Sequence, residues 1–219
     1  MRALVLFCGT GSIDKAFHRL GLEVVSVDWE AKYSPTHVAD LMTWDYEQYP
    51  KGYFSFVWGS PACTQFSIAR TTGGPRDIEG ATALVTRTLE IMEHFGCPWA
   101  LETPQTGLLK DQPLMQGLPY SDVTYCAYGY PYKKKTRIWN TLGDKWNPRP
   151  ICCKASPCPA FSLEGVHPMS AQRGASMVKG QRRNGDNCSQ AQLYSMPPQL
   201  CDEIAQAAQD AVESRLPSQ

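Results

Sequence analysis

The 219-residue chain has no charge of one sign to spare. Twenty-one Lys and Arg face 21 Asp and Glu, so net charge gives no argument for a nucleic-acid partner, and only a local basic patch could do so. It lacks the composition of a disordered chain: 42% of residues are hydrophobic and 19% charged, enough apolar surface to build a core. No run approaches the ~20 apolar residues of a membrane span, and Met1 to Phe7 lacks the h-region of a signal peptide because Cys8-Gly9 cuts it short. Internal repeats are absent. Cysteine is plentiful, yet a disulfide framework is not implied: the nine thiols are odd in number, and Cys152 and Cys153 are adjacent. The expectation is a reduced, intracellular globular protein, without a membrane partner, forming a single domain over residues 1–219.

What is present reads as alternating strands and helices. Ala3-Leu4-Val5-Leu6-Phe7 is a continuous apolar run ending on Cys8-Gly9-Thr10-Gly11-Ser12, and Ile13, Ala16, Phe17 and Leu20 follow at helical spacing. Glu23 to Val27 is a second strand ending on Asp28, and a weaker extended segment, Thr36 to Ala39, ends on Asp40. Phe54 to Trp58 leads into Gly59-Ser60-Pro61-Ala62-Cys63, and Trp99-Ala100-Leu101 leads into Glu102-Thr103-Pro104. Between them Leu84, Val85, Leu89, Met92 and Phe95 mark an amphipathic helix. Val123 to Ala127 and Arg137 to Thr141 are two further strand candidates, and Leu200, Ile204, Ala208 and Ala211 mark a closing helix within 197–216. The pattern predicts an α/β, Rossmann-like fold: a mostly parallel sheet with helices on both faces and a ligand crevice beyond the carboxyl ends of its strands.

Those strand ends carry the chemistry. Gly9-Thr10-Gly11 between strand and helix permits close backbone approach to a ligand, and Asp28 stands where a carboxylate takes ribose hydroxyls. On residues alone this fits a dinucleotide, S-adenosylmethionine or a plain tight turn; Asp14 in place of the third glycine of G-x-G-x-x-G disfavours a nicotinamide cofactor. Cys63 and Glu102 bring a thiol and an acid to the same rim, as nucleophile and proton donor.

In this order the motifs resemble the cytosine-C5 DNA methyltransferases. Leu6-Phe7-Cys8-Gly9-Thr10-Gly11 is similar to the family's first motif, Asp28-Trp29 and Asp40-Leu41 to its next two, and Ser60-Pro61-Ala62-Cys63 to its Pro-Cys nucleophile loop. Glu102-Thr103-Pro104 resembles Glu-Asn-Val, and Tyr128-Gly129-Tyr130-Pro131 with Lys135 and Arg137 resembles the Gln-x-Arg-x-Arg segment. The chain departs at Ala62, Thr103 and Lys135, and a full target-recognition domain is missing. The resemblance implies methyl transfer to C5 of cytosine in DNA, with RNA as another substrate and a catalytically weak binding module as the rival. It implies catalytic roles for Cys63, Glu102, Arg137 and Lys135. It also implies a site for S-adenosylmethionine built from Phe7, Gly9, Thr10, Gly11, Ser12, Ile13, Asp28, Trp29, Asp40, Leu41 and Pro61. Asp28 would take the ribose and Asp40 the adenine amino group.

Residues 140–196 read as an irregular insertion rich in Pro, Cys, Ser and Gly. Cys152, Cys153, Cys158 and His167 there form a thiolate-imidazole set suited to tetrahedral zinc, with Cys188 able to replace one of the adjacent pair. Lys133, Lys134, Lys135, Arg137, Lys145, Arg149, Lys154, Arg173, Lys179, Arg182 and Arg183 gather positive charge in the second half, interleaved with aromatics. Together they make a candidate phosphate-binding surface. The polar segment 182–187 reads as a loop.

Overall fold

A computed structural model describes the chain except at residues 69, 71–73, 162–166, 172–176, 179–180, 183–187 and 216–219. Its centre is β1 (Arg2–Leu6), where Ala3, Leu4, Val5 and Leu6 are wholly buried. A strand apolar on both faces needs cover on both, which parallel βαβ crossovers supply. β2 (Glu23–Asp28) pairs with β1 on one side and β4 (Phe56–Gly59) on the other, both parallel, so that Leu6 lies between Val27 and Gly59. β3 (His37–Val38) and β5 (Trp99–Pro104) extend the parallel sheet outward. Beyond β5 come β7 (Lys135–Asn140), antiparallel to both its neighbours, and β6 (Tyr120–Thr124) at the edge, giving the order β3-β2-β1-β4-β5-β7-β6. Strand order reverses between β1 and β4, which places the ligand crevice beyond their carboxyl ends.

α1 (Ser12–Arg19) and α4 (Pro198–Glu213) cover one face: Ile13, Ala16, Phe17, Leu200, Ile204 and Ala208 join Ala3, Val5, Phe56, Trp58 and Ile138 in one core. α2 (Ile78–Phe95) covers the other, with Val85, Ile91, Met92 and Phe95 against Leu4, Leu6, Val57, Leu101 and Trp139. Each helix has local reasons to start or stop: Gly11 enters α1 at φ 67, Asp77 accepts the Gly80 N–H at the start of α2, and Gly96 ends α2 at φ 61. The expected α/β, mostly parallel sheet with helices on both faces is therefore present.

The strand expected over 123–127 is displaced: β6 ends at Thr124, and Tyr125–Tyr128 form a 3-10 turn closed by Gly129 at φ 90. Tyr125, Cys126 and Tyr128 are all buried, and an apolar aromatic run does not distinguish a strand from a buried turn. Between β7 and α3 (Gln190–Tyr194) the described residues hold only a short turn and the two-residue pair β8 (Met177–Val178) and β9 (Gln181–Arg182). No helix among the described residues is long and apolar enough to cross a membrane.

Candidate active site

The first half of the crevice is a backbone cradle after β1. Phe7 sits at φ 60, Gly9 at φ 48 and Gly11 at φ 67, a succession of left-handed residues that only glycine adopts without strain at two of its three places. The cradle is tied to the end of β2: the Gly9 N–H donates to Asp28 Oδ2 at 3.0 Å and the Glu30 N–H to Asp28 Oδ1 at 2.9 Å. Each carboxylate oxygen keeps a second lone pair, so a buried Asp28 holds the loop and still accepts from a ligand hydroxyl. Trp29 beside it is 75% exposed, leaving an indole face open to solvent at the crevice edge. Thr10 and Ser12 share a 2.9 Å hydroxyl contact, and Ser12 also accepts the Met196 N–H, which links the cradle to the start of α4. Asp40 is exposed and accepts the Met42 N–H at 3.0 Å. Ile13 and Leu41 point into the two cores, so their side chains serve packing. At Cys8, burial first, then Asp14 and Asp28, pushes the thiol up to about 12.

The second half holds the thiol and the acid. β4 ends at Gly59, and the chain runs through Ser60 and a buried Pro61 to Cys63, where a turn closes by Phe66 N–H to Cys63 O. Arg76 braces the stretch after the thiol by donating to the carbonyls of Gln65 at 2.7 Å and Ser67 at 2.8 Å. Cys63, Pro61, Thr103 and Pro104 line one cavity of about 10 Å³. Glu102 is 6% exposed and triply engaged: Ser60 Oγ donates to Oε2 at 2.8 Å, Tyr125 OH to Oε1 at 3.1 Å, and Lys134 Nζ stands 3.8 Å from Oε1. Burial, then Glu102, raises the Cys63 thiol above its ordinary value, with Lys134 opposing. The three groups thus form one electrostatic unit. Ser60, Tyr125 and Lys134 were not singled out for it by sequence. The available signal was that a buried tyrosine hydroxyl needs a partner.

Arg137 and Lys135 do not join that unit. Across β5–β7 Thr103 pairs with Arg137 and Glu102 with Ile138, so alternation sends Arg137 and Lys135 to the opposite face from Glu102. Arg137 is engaged there bidentately by Asp122 at 2.7 and 2.8 Å and lies over the Tyr120 ring at 3.6 Å. The basic surface is also smaller than expected. Lys133 donates to the Cys152 carbonyl, Lys134 serves Glu102 and the Leu193 carbonyl, and Arg149 bonds Glu203, Gln199 and the Ala127 carbonyl. Lys135 and Lys154 are exposed, as is Lys145 beside Asp144. Arg173, Lys179 and Arg183, with the 183–187 part of the polar loop, lie outside the described residues, as does the side chain of Arg182.

The expected Cys/His set is corrected at one member. Cys126, Cys152, Cys158 and His167 have their donor atoms all within 4.8 Å of one another. Cys153 is exposed, because its turn with Ser156 faces it outward, and Cys188 belongs to the core beneath α1 and α4.

No family model matches the chain, and no curated protein does. Among solved structures it is similar to the Dnmt2 methyltransferase of S. pombe, at 15% identity and a TM-score of 0.47, over 64% of this chain and 50% of that one. It is also similar to a substituted DNMT2 of Spodoptera frugiperda, at 14% identity and a TM-score of 0.46, over 68% and 53%. The chain spans about half the length of the solved structures it matches.

Proposed function

We propose that the protein transfers the methyl group of S-adenosylmethionine to C5 of cytosine in DNA. The observation that carries this reading is the convergence of Cys63 with a buried, triply held Glu102 on the rim that also bears the Gly9–Gly11 cradle and Asp28. The residues fit the donor: a carboxylate with free lone pairs stands beside glycine backbone, and the indole of Trp29 is uncovered next to it. When bound, the donor supplies an electrophilic methyl.

C5 of cytosine is a weak nucleophile, and the protein's task is to activate it. The Cys63 thiolate adds to C6 while Glu102 holds or protonates N3, which moves the ring electrons to C5 as an enamine. After methylation, loss of the C5 proton returns electrons to the ring and expels the thiolate. Because burial and Glu102 raise the Cys63 thiol, the free protein keeps it protonated near neutrality, and Lys134 is the cation that favours the thiolate. The target base is unreachable inside a stack, so it leaves the helix to enter.

DNA carrying 5-fluorocytosine tests this, because fluorine cannot leave as a cation and the adduct persists. With donor present, wild-type protein should form a complex that survives denaturation, and Cys63→Ser should form none. Trapping on the RNA analogue alone would move the substrate to RNA. Trapping by Cys63→Ser, or none by wild type on any DNA or RNA, would overturn the reading.

A further inference from the structure

Three buried thiols and an imidazole meet beneath the turn that follows β6. Cys126 and Cys152 are each 1% exposed and Cys158 8%, and among the described residues they form a small cluster of their own with Ala160 and Phe161 packed against it. So little apolar surface does not fix an irregular loop. We propose that Cys126, Cys152, Cys158 and His167 bind one zinc ion in a closed tetrahedral site that staples the insertion to this turn.

The spacing is that of tetrahedral zinc. Zinc–sulfur bonds of ~2.3 Å and zinc–nitrogen bonds of ~2.0–2.1 Å at a tetrahedral angle put sulfur and nitrogen about 3.6 Å apart and two sulfurs about 3.8 Å apart. Cys152 Sγ lies 3.6 Å and Cys158 Sγ 3.4 Å from His167 Nε2, and no donor atom is more than 4.8 Å from another. Three soft thiolates and one imidazole select zinc over hard oxygen-seeking cations, and four protein donors leave no open position, which makes the site structural. Three thiolates around a divalent ion leave one net negative charge. Lys133, bonded to the Cys152 carbonyl, stands beside it, and the Cys158 N–H points at Cys152 Sγ at 3.4 Å, as outer partners of a metal site do.

The staple reaches the acid. Cys126 follows Tyr125, whose hydroxyl donates to Glu102, and the Cys152 N–H donates to Thr124 Oγ1 at 3.0 Å. The ion therefore ties Cys152, Cys158 and His167 to the segment that holds Glu102. That consequence rests on the proposed role of Glu102, but the metal site itself does not.

Protein purified without chelator should carry about one equivalent of zinc by elemental analysis. Replacement by Co²⁺ should give the visible bands of a tetrahedral ion and thiolate-to-cobalt charge transfer in the near ultraviolet. Cys126→Ser and Cys158→Ser should fall below about a tenth of an equivalent, while Cys153→Ser keeps its zinc. Wild type that neither retains zinc nor shows cobalt-thiolate absorption overturns the proposal, as does Cys153→Ser losing as much metal as Cys126→Ser. If the serine variants do not fold, the cobalt spectrum of wild type decides alone. None of these readouts requires methyl transfer, so failure of the enzymatic reading and failure of the metal site are separate results.

Discussion

Glu102→Gln should make Cys63 more acidic, a direction opposite to what loss of a general base would do. The thiol is held up by burial and then by Glu102, while Lys134 pulls it down. Lys134 Nζ is 3.8 Å from Glu102 Oε1, a separation at which two unit charges interact by roughly 4 kcal/mol at an effective dielectric of about 20. The two charges act on the thiol in opposite directions, and removing the carboxylate leaves the ammonium unopposed. An opposite charge within ~4–6 Å lowers a pKa by about 1–3 units, and partial exposure of Lys134 puts the expectation at about one unit, or ~1.4 kcal/mol.

Iodoacetamide alkylation across pH reads this directly, provided the Cys63 peptide is followed by mass spectrometry, because eight other thiols compete. The wild-type midpoint should lie above the ~8.5 of a free cysteine. In Glu102→Gln it should fall by about one unit, and in Lys134→Gln it should rise. Below both midpoints the gain in rate should be about threefold and not tenfold, since a more acidic thiolate is also a poorer nucleophile. An unchanged or raised midpoint in Glu102→Gln, with the native circular dichroism retained, refutes the coupling of acid and thiol.

Asp14 offers a stability test. Burial is the main reason its carboxyl is raised from 3.8 to about 6, and its Oδ1 has no hydrogen-bond partner among the described residues. An acid with a raised folded pKa destabilises above that pKa and costs nothing below the unfolded value, so Asp14→Asn should stabilise at pH 7 by at most about 3 kcal/mol. In denaturant titrations the gain should shrink as pH falls through 6 and vanish by about 4, and a gain independent of pH would refute it. Asp28→Ala should weaken S-adenosylmethionine binding about tenfold or more, the cost of a charge-assisted hydrogen bond at ~1.5–3 kcal/mol. Unchanged affinity by calorimetry would mean the cradle binds something else.

The sheet was legible because its strands are short apolar runs that stop at chemistry-bearing residues. β1 stops before the glycine loop, β2 at Asp28, β4 before Cys63, and Glu102 sits within β5 near its end. A parallel sheet gathers such ends on one rim, so Cys63 and Glu102 can be paired from the sequence alone. The basic partner was not legible. Lys133-Lys134-Lys135-Thr136-Arg137 shows no apolar alternation from which to read a face. The decision between Lys134 and Arg137 is made by the register that sets Glu102 opposite Ile138.

The Cys/His set shows the same limit on a longer scale. Adjacent Cys152 and Cys153 cannot both turn inward, and the closed turn between Cys153 and Ser156 buries the first and exposes the second. The fourth member of the cluster comes from elsewhere in the chain. Cys126 supplies it only because β6 stops at Thr124, which drops the next two residues into a tight turn beneath the insertion. Had the strand run on to Ala127 as its aromatic content implied, alternation would have put Tyr125 and Cys126 on opposite faces of a sheet edge. The same turn brings the Tyr125 hydroxyl to Glu102, so one misplaced strand end hid both a member of the Cys/His cluster and a partner of the acid.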